Sequence, residues 1–111
     1  MVQYQHLDRA FAALSDPTRR AILERLGEGE ASISELAAPF TISLTGMKKH
    51  VQVLEDAGLV TTHKVGRERR CRLAPTQLED AAAWLDAHRQ MVEARFDRFA
   101  ELLKKEQEAQ P

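Results

Sequence analysis

Apolar residues recur at helical spacing in the first part of the chain. A stripe with i, i+3, i+4 and i+7 spacing predicts a first helix over about residues 5–14. The members of this stripe are Leu7, Ala10, Phe11 and Leu14. Asp16 can cap a second helix and Pro17 suits its first turn, because proline lacks the N–H that would be unpaired there. We expect this second helix to end near Gly27 or Gly29.

Two further helices joined by a tight turn are predicted over residues 34–57. Ser34 suits the N-cap of the short third helix, and Ser43 suits that of the fourth. Gly58 follows as the expected left-handed cap. The fourth helix carries an apolar face that we expect to be buried, formed by Leu44, Met47, Val51 and Leu54. This is a helix-turn-helix arrangement, in which the second helix can enter the major groove of DNA.

The hydrophobic period changes after the fourth helix. Residues 59–73 contain a run rich in β-branched residues and an alternating run, which predict a β-hairpin with a turn at residues 66–68. Alternation on the second strand places Cys71 on one face, and Arg70 and Arg72 on the other. The hairpin therefore carries several cations on its exposed side.

A long helix is predicted from residue 76 to about residue 105. Its apolar residues recur at alternating spacings of four and three, with one break at Arg89. A helix of about 30 residues is roughly 45 Å long, so one small domain cannot cover the whole seam. We therefore expect a homodimer formed by residues 5–14 and 76–105. Its predicted interface residues are Leu7, Phe11, Leu85, Val92, Phe96, Phe99 and Leu103.

Composition narrows the class of protein. The chain has 111 residues, of which 43% are apolar, so one domain with its own core is expected. The single cysteine, Cys71, excludes an internal disulfide and fits a reducing compartment. No apolar run approaches the roughly 20 residues that cross a bilayer, and the N-terminus lacks a signal-peptide pattern. We expect a cytoplasmic protein without a membrane partner.

Charge is unevenly distributed along the chain. The net charge is −1, which by itself argues against a nucleic-acid partner. Residues 43–72, however, contain seven basic and three acidic residues and carry +4, so the remainder carries −5. The fourth helix and the hairpin together therefore form a basic stretch on an acidic chain, and such a pattern favours a partner that carries phosphate groups.

The exposed positions of these basic segments predict how DNA is contacted. Lys48 and Lys49 can bond guanine O6 and N7 or neutralise phosphates, and Gly46 is expected to let the backbone approach the DNA. Arginines on the hairpin can follow the phosphates or enter a minor groove. The predicted DNA-contacting residues are Ser43, Thr45, Gly46, Lys48, Lys49, Gln52, Lys64, Arg67, Arg69 and Arg70.

Three blocks of sequence resemble the ArsR-type winged-helix repressors. They are residues 13–23 (ALSDPTRRAIL), residues 49–60 (KHVQVLEDAGLV) and the Gly66-Arg67 turn, and the resemblance extends over about residues 5–103. It implies a mainly α winged helix-turn-helix fold with four helices, a β-hairpin wing and a long C-terminal dimerisation helix. It also implies a homodimer that binds a two-fold DNA operator and represses transcription, commonly of its own operon.

The residues of the metal sites found in many members of this family are missing. The third helix has no Cys-x-Cys pair, and Asp86, His88 and Glu93 lack the paired spacing of the sites on the last helix. We therefore predict no metal site and no cofactor. Cys71 is interpreted either as a half-buried core thiol or as a redox sensor.

Two alternative functions stay open at this point. The protein could be a winged-helix dimer that docks other proteins through its last helix, or a regulator that responds to a metal, an oxidant or a small-molecule inducer. An enzyme is not indicated, because the sequence shows no motif for a nucleophile and its base. None of the five glycines belongs to a phosphate-binding loop.

Overall fold

The structure is a computed structural model that describes residues 2–109, with side chains described from residue 6 onward. Five helices and three short strands follow one another in the predicted order, apart from one unpredicted strand. They are α1 (Val2–Leu14), α2 (Pro17–Leu26), β1 (Ala31–Ser32), α3 (Ile33–Ala37), α4 (Leu44–Asp56), β2 (Val60–Val65), β3 (Glu68–Leu73) and α5 (Pro75–Ala109). The mainly helical architecture with a small antiparallel sheet confirms the predicted fold class.

Side-chain caps fix the starts of α2 and α4, as the sequence predicts. The backbone N–H of Arg19 donates to Oδ2 of Asp16 at 3.0 Å, and Pro17 stands in the first turn of α2. The backbone N–H of Gly46 donates to Oγ of Ser43 at 3.0 Å. Each cap satisfies one of the N–H groups that have no partner within the helix.

The predicted start of α3 is wrong. Ser32, not Ser34, is the N-cap, and its Oγ accepts a hydrogen bond from the backbone N–H of Glu35 at 3.1 Å. Ser32 also belongs to β1, where it lies opposite Arg70 in the sheet. Its extended backbone, with φ −77° and ψ 162°, therefore serves both the strand and the cap.

The three strands form an antiparallel sheet in the order β1-β3-β2. In the predicted hairpin, β2 and β3 pair from Val60 opposite Leu73 to Val65 opposite Glu68. The connecting turn is shorter than expected, with Gly66 at φ +62°, a conformation that favours glycine. The strand β1 was not predicted, because two residues are too few to show a period.

The core of the first part of the chain draws on α1 to α4 and on the sheet. Its largest fully buried side chains are Ile22, Leu36, Met47, Leu54, Leu59, Val60 and Cys71. The prediction that Met47, Val51 and Leu54 of α4 are buried is confirmed. The same prediction is wrong for Leu44, which is 51% exposed. Leu44 lies one helical turn before Met47, the first residue of this face that the core covers.

The chain divides between Ala81 and Ala82 into two compact units, and the second consists of the remaining part of α5. From Ala82 to Ala109 every residue of the helix is exposed. The predicted seam residues Leu85, Val92, Phe96, Phe99 and Leu103 have exposures between 37% and 67%. The seam is therefore uncovered in a single chain. No helix of the described residues combines the length and the apolar character that crossing a membrane requires.

Candidate nucleic-acid interface

The helix α4 is amphipathic and presents a polar face. Thr45, Lys48, Lys49 and Gln52 are exposed on it, while the buried stripe holds the helix on the core. Neither Lys48 nor Lys49 forms a hydrogen bond or an ion pair with any residue in the part of the chain that the structure describes. Both ammonium groups are therefore available to an external anion.

A groove of about 360 Å³ lies between the first turns of α4 and the β2–β3 hairpin. Four cations line it, Lys48 from α4 with Lys64, Arg67 and Arg69 from the hairpin, against one acidic residue, Glu68. The predicted contact residues of two separate segments are thus brought together at one surface. Concentrated positive charge in a groove attracts a phosphate backbone through the summed field of its cations.

Arg70 is placed differently from the other predicted cations. Its Nε lies 3.1 Å from Oε2 of Glu30, and its Nη1 lies 3.3 Å from Oε2 of Glu68 and 3.6 Å from Oε1 of Glu35. The bond to Glu30 raises the pKa of the Arg70 guanidinium, and the three carboxylates neutralise its charge. The structure therefore assigns Arg70 to an ion-pair cluster and does not bring it to the groove.

Three other predicted contact residues have roles within the chain. The Oγ of Ser43 accepts the cap bond of α4, and Nε2 of Gln52 donates to Oδ1 of Asp56 at 2.8 Å. At Gly46 an added Cβ would lie 2.8 Å from Cγ2 of Ile42. This glycine is therefore explained by close packing against the preceding turn, whereas the sequence reasoning expected it to allow close approach to DNA.

A polar cluster connects the middle of α4 to the junction of α1 and α2. The Nε of Arg19 donates to the carbonyl oxygen of Ala13 at 2.7 Å, and Nη1 of Arg19 lies 3.5 Å from Nδ1 of His50. The same His50 nitrogen lies 3.9 Å from Oδ2 of Asp16. The hydrogen bond from the backbone N–H of Arg19 lowers the pKa of the Asp16 carboxyl. Sequence reasoning located the Asp16 cap but missed that this cap also faces α4.

Cys71 is a core residue on β3 rather than a half-buried one. Its side chain is fully buried, and burial raises the pKa of its thiol to about 11. A thiol that keeps its proton at neutral pH is a poor nucleophile, so its position supports the core interpretation over the redox one. Among residues 2–109 no group of three or more His, Cys, Asp or Glu side chains is placed to hold a metal ion.

Comparison with known proteins identifies the family. Residues 14–63 match the family described as a helix-turn-helix domain. The chain is 41% identical over 86 residues to the HTH-type transcriptional regulator Rv2034 of Mycobacterium tuberculosis, which covers 78% of this chain and 80% of that protein. It is 33% identical over 79 residues to the transcriptional repressor SdpR of Bacillus subtilis, which covers 71% of this chain and 88% of that protein.

A solved structure agrees with these relatives. The ArsR-like transcriptional regulator from Rhodococcus sp. RHA1 superposes with a TM-score of 0.70 and 37% identity, over 95% of each chain. This chain belongs to the ArsR-type winged helix-turn-helix transcriptional regulators. In this ArsR-type regulator, α3 and α4 are the helix-turn-helix and the β2–β3 hairpin is the wing. The resemblance seen in residues 13–23 and 49–60 is thereby confirmed as family membership.

Proposed function

We propose that this ArsR-type regulator binds a pseudo-palindromic DNA operator as a homodimer and represses transcription by occluding the promoter. One observation carries the proposal: cations from α4 and from the wing converge on one groove, and none of these cations has an ion-pair partner among the described residues. A surface of this kind fits a phosphodiester strand that separates a major groove from the adjacent minor groove.

In this arrangement α4 and the wing contact different parts of the DNA. The first turns of α4 enter the major groove, where Lys48 and Lys49 reach guanine edges or phosphates and Thr45 faces the bases. The wing follows the strand, with Arg67 at its tip able to enter the minor groove. Gln52 lies farther along α4 and turns its amide toward Asp56 at 2.8 Å, so it contributes only if this bond is exchanged for one to DNA.

The homodimer is supported by the uncovered seam of α5. A contiguous row of apolar side chains that includes Phe96 and Phe99 on one helix is unusual on a monomer's surface. A second copy covers it with an identical row, in the way that coiled-coil helices pair. On α1, Leu7 and Phe11 are half-buried within their own chain, so they contribute less apolar area to the proposed interface than the α5 residues do.

Repression follows from geometry once the dimer is formed. Two α4 helices related by a two-fold axis read two half-sites spaced by about 34–36 Å, one turn of DNA. A dimer seated on such a site excludes other proteins from it. The name of the relative SdpR, a transcriptional repressor, is consistent with this direction of regulation.

A matched pair of double variants tests the proposal. Lys48→Ala with Lys49→Ala removes two adjacent exposed lysines from α4, and Lys104→Ala with Lys105→Ala removes two adjacent exposed lysines from α5. Binding to DNA enriched by in vitro selection is measured by gel shift at several salt concentrations. We expect the α4 variant to lose binding, or to lower the log–log salt slope by about four, since the homodimer loses two lysines in each half-site. The α5 variant should match the wild type. Unchanged affinity of the α4 variant at fixed salt would contradict the assignment of α4.

A further inference from the structure

Leu44 is an apolar side chain in an unexpected place. It occupies the first position of α4 after the N-cap, and it is 51% exposed although the sequence pattern predicts it to be buried. The other residues that line the same groove are polar or charged, apart from Ile33. Lys48 lies one helical turn further along α4, and both residues line the groove together with Arg67.

The position of Leu44 indicates what can cover it. The N-terminal turn of a recognition helix is the part that reaches deepest into the major groove. The cations around Leu44 attract a polyanion and make an apolar protein partner a poor fit, because such a partner would desolvate their charges without pairing them. The partner must therefore pair the cations and also cover the apolar side chain of Leu44. DNA can do both, since its phosphates pair the cations and its bases offer an apolar feature.

That apolar feature is specific. In the major groove each base edge presents hydrogen-bond donors or acceptors, and the one methyl group among them is the 5-methyl of thymine. A leucine has no donor or acceptor, so it cannot bond the edges of guanine, adenine or cytosine. Packing against a thymine methyl is therefore the readout open to it.

We propose that Leu44 reads the methyl group of a thymine in each operator half-site, and thereby determines the base preferred at that position. The proposal rests on the proposed function, because it requires α4 to lie in the major groove. It adds a specificity that phosphate contacts by the neighbouring cations do not supply, since those contacts are the same for every sequence.

The test compares the full-length protein on two forms of its own selected operator. In the second form deoxyuridine replaces thymidine at one position of each half-site, which removes the methyl and preserves the base pairing. We expect the wild type to lose about fourfold in affinity per half-site at one thymine, the value of one buried methyl group. Leu44→Ala should bind both forms equally, and Leu44→Met, which keeps an apolar side chain, should retain part of the discrimination.

Val53→Ala is the matched control. Val53 is also an exposed apolar residue of α4, at 41%, but it lies in the half of the helix away from the N-terminus. We expect this variant to discriminate between the two operators as the wild type does. Equal melting temperatures of the variants show that the comparison is made on folded protein.

The outcomes separate the two proposals. If selection enriches no sequence, the proposal of a specific operator is overturned, and the proposal that Leu44 reads thymine is overturned with it. If an operator is enriched but its half-sites contain no thymine, only the role of Leu44 is overturned. The same holds if Leu44→Ala and the wild type lose equal affinity at every thymine, which would mean that Leu44 does not read the methyl group.

Discussion

The Nε of Arg70 on β3 lies 3.1 Å from Oε2 of Glu30, the residue that precedes β1. The other carboxylate oxygen of Glu30 lies 3.2 Å from Nε2 of His63 on β2. One carboxylate thus connects the two strands of the wing to the segment that enters the sheet. The position of Arg70 is fixed by this contact, whereas Arg67 at the wing tip has no ion pair or hydrogen bond with the described residues.

Arg67 and Arg70 are therefore expected to differ in their effect on DNA binding. Arg67→Gln should weaken binding and lower the log–log salt slope by about two, because the homodimer loses one phosphate contact in each half-site. Arg70→Gln should leave the slope unchanged and lower the melting temperature, because Glu30, Glu35 and Glu68 lose the cation that they share. Both are measured by fluorescence anisotropy over a series of salt concentrations and by thermal unfolding. A lower slope for Arg70→Gln would show that Arg70 leaves the ion-pair cluster to bind a phosphate.

Gly46 gives a second prediction, since an added Cβ would lie 2.8 Å from Cγ2 of Ile42. This methyl is attached directly to Cβ of Ile42 and cannot turn away without a change of rotamer or backbone. Overpacking costs about 1–3 kcal/mol, against the roughly 1 kcal/mol that alanine gains over glycine in a helix. We expect Gly46→Ala to lower the free energy of unfolding by up to about 2 kcal/mol, as measured by urea unfolding.

The double variant tests whether the cause is packing or DNA. Ile42→Ala removes the methyl that the new Cβ would meet, so its cost combined with Gly46→Ala should be smaller than the sum of the two single costs. If Gly46→Ala also weakens DNA binding and the double variant restores it, glycine is needed for packing alone. A double variant that is stable but does not bind DNA would restore the original expectation that Gly46 admits the DNA backbone.

These cases show which features of the fold the sequence could reveal. Caps and periods are local, so Asp16, Ser43 and the buried face of α4 were accessible to prediction. The start of α3 was not, because Ser32 acts as the cap while pairing with Arg70 across the sheet. That pairing joins residues 38 positions apart, and no local pattern reports it.

The candidate site, like the fold, could be predicted only where its signals are local in the sequence. Clustering of charge in residues 43–72 indicated the basic surface, and it identified Lys48, Lys64 and Arg67 as candidates. Strand alternation places Arg69 and Arg70 on opposite faces, but it could not show that Arg70 is paired, because its partners Glu30 and Glu35 are distant in sequence. The exposure of Leu44 could not be predicted, because its spacing from Met47 and Val51 is typical of a buried face. The structure shows that the core ends before the first turn of α4 and leaves Leu44 uncovered.

The seam of α5 gives a prediction about assembly. Phe96 is 67% exposed on this helix, and a charge at its position would be buried in the proposed interface. We expect Phe96→Glu to raise the dimer dissociation constant by roughly 30-fold or more, the effect of losing a central aromatic anchor. Analytical ultracentrifugation over a concentration series measures it.

The control for this variant introduces the same charge two residues away. Ala94 is exposed and lies on the side of α5 opposite Phe96, since two residues turn a helix by about 200°. Ala94→Glu should leave the dimer intact. Equal weakening by both variants would place the interface elsewhere or implicate net charge, and a monomeric wild type would contradict the dimer itself.

The buried thiol on β3 adds a contribution to stability that is lost at alkaline pH. Burial raises the pKa of Cys71 from its ordinary value of 9.0 to about 11. Between these values the unfolded chain loses this proton and the folded chain keeps it, so the contribution of Cys71 to stability is complete below pH 9 and is lost as the pH rises toward 11. Urea midpoints of the wild type should therefore fall more steeply between pH 8 and pH 10 than those of Cys71→Ala, because all other titrating groups are common to both proteins.

The same burial predicts that a disulfide reagent such as dithionitrobenzoate modifies the folded protein far more slowly than the urea-unfolded chain at pH 8. Equal slopes together with rapid modification of the folded protein would instead indicate an accessible, ionisable thiol and would revive the interpretation of Cys71 as a redox sensor.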